Sequence, residues 1–151
     1  MSKSKSLTLG KSMDIIFIIS SIIFNISVSI IYIAIKIGNL ELVQVSGLIV
    51  ILLIIPFTIT LIGYIKEKEE KKILISLVII IFYLFLELLL DYILMIPFRE
   101  ILALHILYII IFYAADFSII GVTFEKNKKM GFVVLLTFGI VIGCLIYMYM
   151  G

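Results

Sequence analysis

Tryptophan is absent from this 151-residue chain, and cysteine, histidine and proline are nearly so, with one Cys144, one His105 and the two prolines Pro56 and Pro97. A single cysteine excludes an internal disulfide. One Cys and one His exclude the zinc patterns that draw on several such ligands. Charge is scarce as well: Asp, Glu, Lys and Arg make up 15% of the residues. The chain contains no GxSxG, HExxH, CxxC or P-loop pattern, so no nucleophile elbow, metalloprotease helix or phosphate cradle marks it as an enzyme. No metal or cofactor is expected on these grounds, and an enzyme is the less favoured expectation.

What the chain does contain is apolar: 64% of its residues are hydrophobic, and isoleucine alone supplies roughly a quarter. Alanine is scarce, and that bias fits the codon usage of an AT-rich prokaryotic genome. The charged residues cluster in short stretches between long apolar runs. A helix needs about 20 apolar residues to cross a hydrocarbon core of about 30 Å. Five runs meet that length, at about 15–37, 42–65, 73–96, 98–124 and 131–150. The expected fold is therefore all-α, a polytopic bundle of five transmembrane helices. Residues 1–14 would form a polar N-terminal segment and residues 15–151 one transmembrane domain. The first run is too long for a signal-peptide core and ends in no small-residue cleavage site.

The lysines orient the bundle. With the N-terminus in the cytoplasm, the inner segments hold Lys3, Lys5, Lys11, Lys66, Lys68, Lys71, Lys72, Lys126, Lys128 and Lys129, and the outer ones only Lys36 and Arg99. This alternation obeys the positive-inside rule at every loop and places the C-terminus outside. It also accounts for the net charge of +2 as membrane-edge lysine rather than a nucleic-acid footprint. The expected setting is a prokaryotic plasma membrane, with the lipid bilayer as first partner. For so small a chain, a homo-oligomer or a membrane-protein partner is a further expectation.

Local signals refine the picture. In KEKEEKK, Glu67 and Lys71 stand four apart, which predicts a solvated helix extension. Pro97 should end the third span and open the fourth, with Glu100 in its first turn. Pro56, followed by Thr58 and Thr60, should kink the second span or free a carbonyl there. Gly139 and Gly143 form a GxxxG in the fifth span, which predicts close packing inside the bundle ahead of a dimer face.

A few residues sit where apolar ones would cost less. Glu87 and Asp91 are four apart in the third span and share a face with Tyr83. Each carboxylate costs about 2.5–3.5 kcal/mol near a span centre. His105 and Asp116, eleven residues apart, share a face of the fourth span with Ile109 and Phe112. At about 1.5 Å rise per residue, Asp91 and His105 should meet in the outer half, with Glu87 near the midplane and Asp116 deeper. Ser21, Asn25 and Ser29 form a polar stripe on the first span, expected to bond between helices or to face Tyr83, Glu87 and Asp91.

Ionisable groups inside a membrane are candidates for function. Glu87, Asp91, His105 and Asp116 thus predict a path that moves a proton, a cation or a small polar solute between spans three and four. The competing expectation is a non-catalytic membrane subunit that binds partner membrane proteins through its helix faces, its carboxyl groups serving as interhelical bonds. An intramembrane lipid enzyme using Asp91 and His105 ranks third, since no nucleophile or metal motif supports it.

Overall fold

The computed structural model of the protein describes residues 2–90 and 102–150, and among these there is helix and no strand. Six helices follow one another: α1 (Ser2–Ile37), α2 (Leu40–Leu52), α3 (Ile54–Lys66), α4 (Lys71–Leu88), α5 (Leu102–Lys126) and α6 (Lys128–Tyr149). Four stretches are long and apolar enough to cross a membrane: Ser12–Ile37, Leu40–Lys66, Ile106–Lys126 and Lys128–Met148. The α4 helix adds a fifth member to the bundle. It widens into a π turn at Leu89 and Leu90, where the described part ends. The polar N-terminal residues are helical, as α1 runs unbroken from Ser2 into the first span.

The second span is two helices because of Pro56. Proline has no N–H to give to the carbonyl four residues earlier, that of Leu52. There α2 ends, and α3 begins after the single residue Leu53. The Thr60 hydroxyl donates to the Pro56 carbonyl at 2.8 Å, so a side chain supplies a bond within this interrupted segment.

Each turn has its own chemistry. Gly38 has φ +76°, and its N–H bonds to the Ile35 carbonyl while that of Asn39 reaches back to Ala34. This is the Schellman arrangement that a left-handed glycine permits. Asn39 then caps α2, its Oδ1 accepting from the Leu42 N–H at 3.1 Å. The KEKEEKK stretch repeats the first half of that turn without a glycine. Lys68 has φ +56°, and the Lys68 and Glu69 N–H groups bond to the carbonyls of Ile65 and Tyr64. The stretch is therefore a turn, not the continuous helix that the Glu67–Lys71 spacing predicted. A charge pattern with helical spacing does not resist a chain reversal once both flanking spans are inserted. Between α5 and α6 the reversal is shorter still: Asn127 alone separates them, and its side chain accepts from the Met130 N–H at 3.2 Å.

The spans pack in chain order. The first lies against α2 and α3, α3 against α4, α4 against α5 and α5 against α6, and α6 returns to α1. They close a ring, with α1 also touching α5 across it. Of the α1 span 56% is buried, against 22% of the α6 span, so α1 is the inner helix and α6 a peripheral one. On α1 the usual pattern of a soluble helix is inverted. Ile15, Ile19, Ile23 and Ile26 are exposed, while Ser20, Ser21, Asn25, Ser27 and Ser29 are buried. Such a surface suits hydrocarbon, where apolar side chains gain nothing by hiding and polar ones must find partners.

The GxxxG pair does not pack inside. Both Gly139 and Gly143 are exposed, and a Cβ added at either would meet nothing within 4 Å. Their spacing fixes that they share a face but not which way that face turns. The glycines that do permit close approach are Gly63, against the Met13 side chain, and Gly131, against the Phe124 ring.

Candidate functional site

Glu87 lies near the end of α4 and is only 5% exposed. Helical spacing puts Tyr83 one turn before it on the same face, and the Tyr83 hydroxyl donates to Glu87 Oε2 at 3.0 Å. Tyr108, from α5, donates to the same oxygen. The two tyrosine oxygens are themselves 2.8 Å apart. Three oxygens thus form a closed triangle that ties α4 to α5.

This triangle opens onto a cavity of about 540 Å³ in the ring's interior. Its walls come from α1, α2, α4, α5 and α6. Ile35 and Met148, in the last turns of α1 and α6, place it at the Gly38 end of the bundle. Among the described residues, its polar lining besides Glu87 is tyrosine: Tyr32, Tyr83, Tyr108 and Tyr113.

An aromatic layer floors the cavity. Phe112 stacks on Phe24 at 6.1 Å and meets Tyr83 edge-on at 5.5 Å, while Phe24 and Tyr83 meet edge-on at 5.8 Å. Phe112 is one turn from Tyr108 on one side and one turn from Asp116 on the other. The layer therefore separates two buried acids.

Below it, Asp116 is fully buried on α5, as is Asn25 on α1. With its amide turned to satisfy both neighbours, Asn25 donates from Nδ2 to the Asp116 carboxyl oxygens at 3.0 and 3.1 Å. Its Oδ1 then accepts from Thr137 Oγ1 of α6 at 2.9 Å. An amide can do this because it carries donors and acceptor a few ångströms apart. Three helices are joined at one point, and the cavity does not reach it.

The lysine-rich end is closed by charge. The Tyr64 hydroxyl donates to Asp14 Oδ1 at 2.6 Å, joining α3 to α1. The Lys126 ammonium lies 4.6 Å from the Tyr64 ring centre and pairs with Glu69. Lys72 pairs with Glu125 at 2.7 Å. At the opposite end Lys36 donates to the Met150 carbonyl and lies 5.5 Å from the Tyr147 ring centre.

The residues singled out in the sequence fall apart into separate settings. Glu87 and Asp116 are both buried, but they do not form one line. The Lys72–Glu125 pair marks a common level on α4 and α5. From there Glu87 lies about 22.5 Å along its helix and Asp116 about 13.5 Å along its own. Asp116 is thus at the middle of its span, and Glu87 is roughly 9 Å nearer the Gly38 end. Asp116 is deeper than Glu87, and both sit farther from the lysine-rich end than a count from Pro97 gives. Ser21 and Ser29 donate to the carbonyls of Phe17 and Asn25 on their own helix. Of that stripe Asn25 reaches across to other helices, toward Asp116 and Thr137 rather than Glu87. Asp91 lies outside the described residues, as does the side chain of His105.

Tyr32, Tyr108, Tyr113 and Thr137 were not singled out by sequence reasoning. Tyr108 had a signal, since Tyr108, Phe112 and Asp116 are spaced i, i+4, i+8. Tyrosine is so common at membrane interfaces that the spacing alone did not stand out. Among the described residues no three His, Cys, Asp or Glu side chains are grouped to hold a metal ion. No family model matches this chain, and no curated protein or solved structure does either.

Proposed function

We propose that this chain is a small multi-pass membrane protein that admits a small cationic or polar solute, or a proton, to the cavity at Glu87 and moves it across the bundle. The observation that carries this reading is the placement of Glu87. A carboxyl group within a membrane span is costly, yet this one lines a cavity that can receive a ligand. Purely structural bonding needs no such space. Solute entering from the Gly38 end, outer by the lysine rule, meets Glu87 before the aromatic floor. Passage requires the Phe24–Phe112–Tyr83 layer and the ion pairs beyond it to part, so these are the expected moving elements.

A flux measurement tests this. The protein is reconstituted in liposomes loaded with a pH-sensitive dye and exposed to a panel of inorganic cations, amines and polyols. At least one is expected to drive proton movement through the wild type and none through Glu87→Gln. Silence across the panel from folded wild-type protein counts against the reading.

A non-catalytic membrane subunit is the second reading, favoured by one observation. Gly139 and Gly143 lie on an open outward face of α6 beside the exposed Leu136 and Ile140, where a partner helix can approach closely. It predicts a stable co-purifying membrane protein and no flux by the chain alone.

A further inference from the structure

Resting on the membrane placement of the spans, we infer that the lysine-rich end of the bundle binds anionic phospholipids, each phosphate at an outward lysine and an acyl chain along the apolar stripe below it.

The lysines of that end divide into two sets. Lys72 and Lys126 are engaged with Glu125 and Glu69 of the protein itself. Lys66, Lys71 and Lys129 are exposed, and among the described residues none of them pairs with an acid.

What lies along the helix from each of these three decides the partner. From Lys71, positions i+4, i+7 and i+11 of α4 are Ile75, Val78 and Phe82, all exposed. From Lys66, the same steps counted back along α3 give Ile62, Ile59 and Ile55, all exposed. Steps of 4, 7 and 11 keep to one helix face. Each lysine therefore heads a stripe that faces hydrocarbon once the span is inserted. The α6 helix repeats the pattern from Lys129 through Val133, Leu136 and Ile140. There a lipid and the partner helix of the second reading compete for one face.

The length of the stripe fits a lipid. Eleven residues rise about 16 Å, close to half of a hydrocarbon core of about 30 Å. A stripe thus covers one leaflet, the reach of one acyl chain, with an ammonium group at its polar end. The lysine stem can lie on apolar surface while its charge stays at headgroup level. A soluble anion would meet the lysine and leave the stripe unused. A zwitterionic lipid would cover the stripe but bring no net charge to the lysine. An anionic phospholipid uses both.

The opposite end has the same pattern with the charge reversed. From the exposed Glu41 of α2, positions i+4, i+7 and i+11 are Val45, Leu48 and Leu52, again all exposed. That stripe accepts an acyl chain equally well, but its carboxylate repels an anionic headgroup. The preference for anionic lipid therefore belongs to the lysine-rich leaflet.

The test is electron spin resonance of the full chain in phosphatidylcholine vesicles, with a trace of phosphatidylglycerol or phosphatidylcholine spin-labelled on an acyl chain. The motionally restricted fraction measures lipid held against the protein. Label in both leaflets makes the signal independent of which way the chain inserts. Expected is a preference of about fivefold for phosphatidylglycerol, the effect of one lysine near a charged surface. It should fall toward one in molar salt, where the screening length is about 3 Å. Lys66→Gln combined with Lys71→Gln and Lys129→Gln is expected to bring the preference to about twofold or less. Arginine at the same three positions should keep it, and Glu41→Lys should raise it. An unchanged preference in the glutamine variant overturns the inference.

A second measurement needs no variant. At equal ionic strength, sodium phosphate and sodium chloride are expected to weaken the wild-type preference equally. A loss specific to phosphate means that the lysines take the free anion, and overturns the inference. Equal restriction of the two labelled lipids at low salt also overturns it, while the membrane reading stands. A chain that fails to float with the vesicles in a density gradient overturns both.

Discussion

The two buried acids make an instructive pair. Glu87 and Asp116 are both carboxyl groups in the interior of one ring of helices, and roughly 9 Å of depth separates their levels. Glu87 is held by two phenols and faces open space. Asp116 is held by an amide that is itself held by a hydroxyl, and no cavity reaches it. The chain Asp116–Asn25–Thr137 joins three different helices, which is what bonding a bundle together requires. Tyr83 and Tyr108, from its own helix and one neighbour, bond to Glu87, which also lines the cavity. Burial alone does not separate a site from a structural bond; what the group faces does.

Phe112 keeps the two settings apart, so its removal should have the largest effect. Phe112→Ala deletes a buried ring and is expected to cost about 3 kcal/mol, read from reversible unfolding in mixed detergent. It should also let a water-soluble carbodiimide reach Asp116, which the wild type shields. Asp116 unlabelled in this variant would show that the aromatic layer is not the barrier.

Asn25→Leu comes next. It strips Asp116 of its amide and leaves a buried carboxyl without that donor, at an expected cost of about 1–3 kcal/mol. Glu87-dependent flux should stay within twofold of wild type. A matching loss of flux would mean that the two acids act together and the comparison fails.

The smallest effect is expected from Tyr108→Phe, which takes away one donor hydrogen and two of the triangle's three edges, at about 0.5–1.5 kcal/mol. Its signature lies elsewhere: with one phenol gone, the pH dependence of Glu87-dependent flux should shift while its maximal rate changes by less than tenfold. An unaltered pH profile would remove Tyr108 from the Glu87 site.

Four membrane-length apolar helices were legible in the sequence because hydropathy is a local property. The interruption near Pro56 was legible for the same reason, since a missing N–H acts on its own helix. KEKEEKK misled because its i, i+4 charges describe what a helix would gain, not whether the chain must turn there. The GxxxG pair misled because spacing defines a face and says nothing of its direction. The polar contacts were the least legible. Glu87 and Asp116 announced themselves by their cost, but Asn25 finding Asp116 and Thr137 depends on how three helices meet. Tyr108 and Thr137 carry no unusual cost in a span, so nothing set them apart until the ring was closed.

That closure also has an order in time. The spans neighbour one another in the sequence in which a ribosome delivers them, and each can pack on its predecessor as it enters the bilayer. Asn25 arrives with the first span, Asp116 only with α5, and Thr137 with α6, which seals the ring against α1. Until α6 is delivered, the nascent chain carries a polar amide in hydrocarbon without its final partners. A chain that stops at Asn127 therefore lacks both the Thr137 bond to Asn25 and the packing of α6 on α1.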